Sequence, residues 1–246
     1  MKMKNMLIGG MSLALVACIS IGGTLAYLSD NTGTVQNKFQ MVTNGIRLDL
    51  AETADKGEGY TVYEATYVGD EVVKDDEVEA EKTLNANTAS EIDGFLYEDI
   101  QPGASLKKKV QLSIGELDKT TVNSYVFAVV DNANSEEVMT LDINTTSWEA
   151  VATADDGART LYAYVAKDDG VTTATDSDGK TYVKEHDDSL ALNPIFTKVD
   201  VADDAEAGVA MSDVRVSGYA YQADNVTFEE AKTAAMQAFG FAVAAE

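Results

Sequence analysis

The chain has 246 residues, with 42 acidic against 18 basic side chains, a formal net charge of −24, one cysteine, one histidine and two prolines. Such a charge repels nucleic acid and anionic lipid surfaces and attracts divalent cations or cationic partners. A hydrophobic content of 45% excludes a wholly disordered chain, and the length suits one sizeable all-β domain or two small ones.

Residues 1–26 read as a secretory signal peptide. Lys2 and Lys4 precede an almost unbroken apolar run from Met6 to Ala26, which closes on Thr24-Leu25-Ala26 before the polar stretch Tyr27-Leu28-Ser29-Asp30-Asn31. Basic start, apolar middle and small residues before a polar chain predict cleavage between Ala26 and Tyr27 and a secreted product, in the matrix or at the cell surface. Two other readings stay open. Leu15-Val16-Ala17-Cys18 has the form of a lipobox, with Cys18 lipidated, although the residues after it remain apolar. The run of 21 residues is also long enough for an uncleaved anchor, weakened by Gly9, Gly10, Gly22 and Gly23. The leader holds Lys2, Lys4, the only cysteine and no acid, so cleavage leaves 42 acids against 16 bases, a charge of −26, and no disulfide.

Residues 27–43 are polar with isolated apolar side chains and no helical period, which predicts an extended arm. Ile46, Leu48 and Leu50 then alternate with polar residues, as in a half-buried strand. Residues 52–92 are dense in acid and predict a surface excursion holding one strand at 60–68 (YTVYEATYV). Gln101-Pro102-Gly103 has type II turn chemistry. Leu106, Val110, Leu112 and Ile114 follow on one face, with Lys108 expected to lift its stem to solvent. Residues 122–130 (VNSYVFAVV) are apolar on both faces and predict a central strand covered on both sides.

Four short runs (148–153, 159–166, 171–175 and 181–184), separated by Asp-Gly pairs at 156–157, 169–170 and 178–179, predict an antiparallel meander. Strands at 195–201 and 214–220 follow. Thr227 and Glu230 form a capping box for a helix with Phe228, Ala231, Ala235 and Phe239 on one side and Gly240 at its end. Nine to eleven strands and a short C-terminal helix predict a jelly-roll-like antiparallel β-sandwich over residues 44–246.

No catalytic constellation emerges. His186 is alone, which rules out H-E-x-x-H, and it lies in the exposed-looking stretch Lys184-Glu185-His186-Asp187-Asp188. No G-x-S-x-G occurs and no cysteine follows the leader, so neither a serine nor a thiol nucleophile is marked. Calcium is conceivable in so acidic a chain. Yet Asp176-Ser177-Asp178-Gly179 with Glu185 lacks the first carboxylate of an EF-hand, where Ala174 stands, so a hairpin turn is expected instead. Neither a cofactor nor a metal site is assigned.

Gly22-Gly23-Thr24-Leu25-Ala26-Tyr27-Leu28-Ser29-Asp30, then Asn37-Lys38-Phe39 and the alternation 45–50, resembles the start of the TasA/camelysin family of Gram-positive bacteria. Leu28 stands where that family usually has phenylalanine. The turn at Pro102-Gly103, followed by a basic strand, and Gly218-Tyr219-Ala220-Tyr221-Gln222-Ala223 before an acidic helix are weaker similarities. The resemblance implies a jelly-roll sandwich, cleavage by a SipW-type signal peptidase, and homopolymeric fibres of the biofilm matrix in which the N-terminal segment of one subunit adds as a strand to the next. Other matrix proteins are further partners it implies. The arm would then begin at Tyr27 and Leu28, with Val35, Phe39 and Met41 as anchors on one face. A monomeric surface-binding or adhesion module is the alternative. A secreted metallopeptidase, as camelysins have been classed, is a further one, against which the single histidine counts.

Overall fold

The computed structural model describes residues 20–28 as backbone, then 46–68, 71–85, 91–115, 120–134, 137–167, 172–206, 211 and 214–243. Among them the strands are, in chain order, β1 (Ser20–Leu28), β2 (Leu48–Ala54), β3 (Thr61–Val68), β4 (Glu71–Glu77), β5 (Lys82–Asn85), β6 (Glu91–Glu98), β7 (Ser105–Ile114) and β8 (Ser124–Asn132). There follow β9 (Met139–Ile143), β10 (Trp148–Thr153), β11 (Arg159–Tyr164), β12 (Thr173–Thr175), β13 (Thr181–Val183), β14 (Leu190–Ala191), β15 (Phe196–Val201), β16 (Val214–Gln222) and the helix α1 (Phe228–Ala238). One sheet runs β10-β11-β8-β16-β1-β6-β3-β4, with the β12–β13 hairpin attached to β8; the other runs β5-β2-β7-β15-β9, with β14 against β7. The chain passes repeatedly from one sheet to the other, as in a jelly roll, and the result is an all-β sandwich.

Alternation builds the core. Leu48 and Leu50 of β2 and Leu106, Val110, Leu112 and Ile114 of β7 are buried against Phe95, Tyr97, Val126, Val214 and Val216 of the facing sheet. β8 is covered on both faces, as its sequence predicts. Val126, Ala128 and Val130 enter the sandwich, while Tyr125, Phe127 and Val129 meet Phe228, Ala231 and Ala235 of α1. The helix is capped as expected, Thr227 accepting from the Glu230 backbone and the Glu230 carboxylate accepting from that of Thr227. The turn at Gln101 is closed by Ala104 N–H donating to the Gln101 carbonyl, with Gly103 at φ 80°, a conformation that glycine adopts without penalty.

Four expectations change. The strand count exceeds nine to eleven, because several edge strands have only two to four residues and leave little periodicity to detect. Most of the described residues between 52 and 92 are sheet rather than excursion: β3 and β4 pair with each other, β5 pairs with β2, and Asp75, Asp76 and Glu77 of β4 are exposed. The region 148–184 is two hairpins, not one meander. β11 pairs with β8 from Arg159↔Asp131 to Ala163↔Phe127, and β13 meets the same strand farther on, at Val183↔Ser124. A turn signal fixes where the chain reverses but not which long strand accepts the hairpin. Finally, Lys108 does not reach solvent. It is fully buried and ion-paired with Glu52, also fully buried, because β2 lies beside β7 and sets Glu52 opposite Val110 and Ala54 opposite Lys108.

Candidate functional site

The larger sheet is interrupted, in sequence terms, at its centre. β6 pairs with β3 along its whole length, from Glu91↔Val68 to Glu98↔Thr61. β16 pairs with β8 along its whole length, from Val214↔Asn132 to Gln222↔Ser124. Their remaining edges face each other across a lane one strand wide, about 9–10 Å at ordinary strand spacing. β1 fills that lane. It runs antiparallel to β16 (Ser20↔Tyr219, Ile21↔Gly218, Thr24↔Val216, Leu25↔Arg215, Ala26↔Val214) and parallel to β6 (Ala26↔Phe95, Tyr27↔Leu96, Leu28↔Tyr97). The latter is the one parallel pairing among the described residues.

The walls are hydrophobic. Phe95, Tyr97, Val214, Val216 and Tyr219 are essentially inaccessible to solvent, and β1 lies across the sandwich from β2 with its buried Leu48 and Leu50. At Gly218 the sheets approach so closely that a Cβ would stand 2.7 Å from the Leu112 side chain, so only glycine fits without displacement. The far end of the lane is polar underneath. Tyr97 donates its hydroxyl to the Lys107 carbonyl at 3.1 Å, and the Lys108 ammonium lies 5.9 Å from the Tyr97 ring centroid. Its partner Glu52 has one carboxylate oxygen, Oε2, without a hydrogen bond among the described residues. Nearby, the Lys107 ammonium bonds the Asp55 carboxylate at 2.7 Å, holding it below the usual carboxylate range and raising the lysine. Burial pushes the neighbouring Tyr60 hydroxyl up.

Ala26 and Tyr27, which flank the expected cut, and Leu28 therefore all belong to β1, and Ala26 is the one position paired to both walls. Val35, Phe39 and Met41 lie outside the described residues. The lane itself was missed from sequence, because its walls are more than a hundred residues apart in the chain. The interior Gly218 in an otherwise regular strand was the available signal.

The residues considered for metal have other engagements. His186, expected in an exposed loop, is half-buried. Its Nδ1 is 2.8 Å from the Lys184 carbonyl and 3.0 Å from Thr121 Oγ1, and its Nε2 is 3.0 Å from the Ile114 carbonyl, so the ring ties its loop to the end of β7. Asp176 Oδ1 accepts from the backbone N–H groups of Asp178 and Lys180, and Oδ2 from the Tyr125 hydroxyl at 2.6 Å. That is the bonding of the expected hairpin turn. Comparison with protein-family models, curated proteins and solved structures finds no match to this chain.

Proposed function

We propose that the chain is a secreted structural subunit of extracellular matrix fibres of the TasA/camelysin type. Head-to-tail assembly adds the arm of one copy, residues 27–43, as a strand in the lane of the next. The observation that carries this reading is the lane between β6 and β16, whose occupant β1 runs through the expected cleavage point. Removal of residues 20–26 strips the inner edge of β16 and leaves only Tyr27 and Leu28 on β6, a template for strand addition in which backbone bonds supply affinity and alternate side chains supply specificity. An arm that reaches a neighbour rather than its own body makes a heterologous contact, which extends into a filament instead of closing. Its partners are then other copies of itself, the SipW-type peptidase during export, and other matrix proteins.

Electron microscopy of the chain from Tyr27, compared with a chain lacking residues 27–43, tests the reading. Fibres are expected only from the first. Fibres that persist without the arm sink the donor mechanism, and failure of both to polymerise under any condition favours a monomeric surface module.

A further inference from the structure

We infer that the lane between β6 and β16 is a peptide-binding site of fixed direction, and that Ser20–Leu28 is its ligand in cis, keeping a second copy's arm out until cleavage after Ala26 removes most of it. This deepens the assembly reading above and rests on it. The argument starts from how the two walls divide the strand. Every described pairing to β16 is made by residues 20–26, upstream of the expected cut, whereas the pairings to β6 are made by residues 26–28. Cleavage would leave Tyr27 and Leu28 against β6 and strip β16 from Val214 to Tyr219. The uncut chain is therefore complete in itself, and the cut creates the acceptor at the same moment as it frees the donor.

The leader strand also has the character of a placeholder. Between Ile21 and Thr24 it advances three residues while β16 advances only from Gly218 to Val216, so one extra residue bulges at Gly22-Gly23. A glycine pair tolerates the bulge but leaves no side chain to pack, and glycine weakens a strand. The arm has a single glycine, Gly33, and carries Val35, Phe39 and Met41 at odd positions, with Asn37 between the first two. Such a strand is the better occupant once the lane is open.

The test uses chains 20–246 and 27–246 and a synthetic peptide of the nine residues Ser20–Leu28, with a scrambled peptide as control. Neither chain contains a native cysteine, so Leu25→Cys with Arg215→Cys, a cross-strand pair in chain 20–246, reports occupancy by disulfide formation. Expected results are an intramolecular disulfide, a monomeric chain 20–246, and peptide binding to chain 27–246 at least tenfold tighter than the scramble, with polymerisation delayed. If chain 27–246 does not fold alone, recovery of its β-sheet circular dichroism with the peptide is the binding readout. The inference is overturned if the peptide binds or rescues no better than the scramble, if the disulfide forms only between chains, or if chain 20–246 polymerises as readily as chain 27–246. Peptide binding and the intrachain disulfide are read on monomers. Success there without fibres would count against the fibre reading alone, and equal polymerisation of both chains against the cis ligand alone.

Discussion

Lys108 and Glu52 place opposite charges in an interior otherwise filled by Leu50, Val110 and Tyr97. Desolvating two ions costs about as much as their attraction returns, so the pair matters less for net stability than for what happens when it is split. Lys108→Met leaves Glu52 buried without its counter-charge and is expected to cost about 3–5 kcal/mol in urea denaturation, while Glu52→Leu combined with Lys108→Met returns to wild-type stability or above. A single substitution costing under about 1 kcal/mol would mean that water reaches the pair. Asp176 makes a separate prediction through pH. Partial burial alone would raise its carboxyl, but the Tyr125 hydroxyl and the Lys180 and Asp178 N–H groups outweigh it and hold the group below its usual value. A depressed folded-state value stabilises the fold above the ordinary aspartate range, near pH ~4, and the contribution is lost as pH falls through the lower folded value. The expected outcome is a steeper acid loss of melting temperature in the wild type than in Asp176→Asn. Tyr125, pushed up first by burial and then by Asp176, stays the protonated donor throughout that acid range.

Among the elements, α1 tests how local rules carry into tertiary structure. Thr227→Ala removes one half of the capping box and is expected to cost about 1 kcal/mol by thermal or chemical unfolding, with the outer face of β8 and β16 loosening because the helix covers Tyr125, Phe127 and Tyr219. Much at this scale was legible in the chain: the cap at Thr227, the turn at Pro102-Gly103, the buried alternation of Leu48 and Leu50, and the double-faced β8 all follow from spacing over a few residues. Pairing was not. Nothing near Val183 or Ala163 names β8 as their common neighbour, and nothing near Lys108 names Glu52, because those contacts join segments far apart in sequence. The lane was illegible for the same reason, and because its occupant looked like a leader to be discarded.

For the whole molecule, charge sets the terms of association. Under the proposed cleavage the chain would carry a charge near −26 and copies would repel one another at long range, while β4, at one edge of the larger sheet, exposes Lys74, Asp75, Asp76 and Glu77. Assembly of chain 27–246 is therefore expected to accelerate, with a shorter lag in light scattering, as monovalent salt rises from about 10 to 150 mM and the Debye length falls from about 30 to 8 Å. Insensitivity to salt would show that repulsion does not limit encounter. The wide separation of the lane's walls has one more consequence, in time rather than in space. β16 is the last of the described strands, and under the proposed export, N-terminus first, it emerges well after the leader and the arm. Closing so long a loop is also the slow part of folding a β topology. Under the proposed assembly the leader can occupy the lane only where β16 has folded before the cut, so the interval between emergence and cleavage would set whether a copy meets a fibre closed or already open.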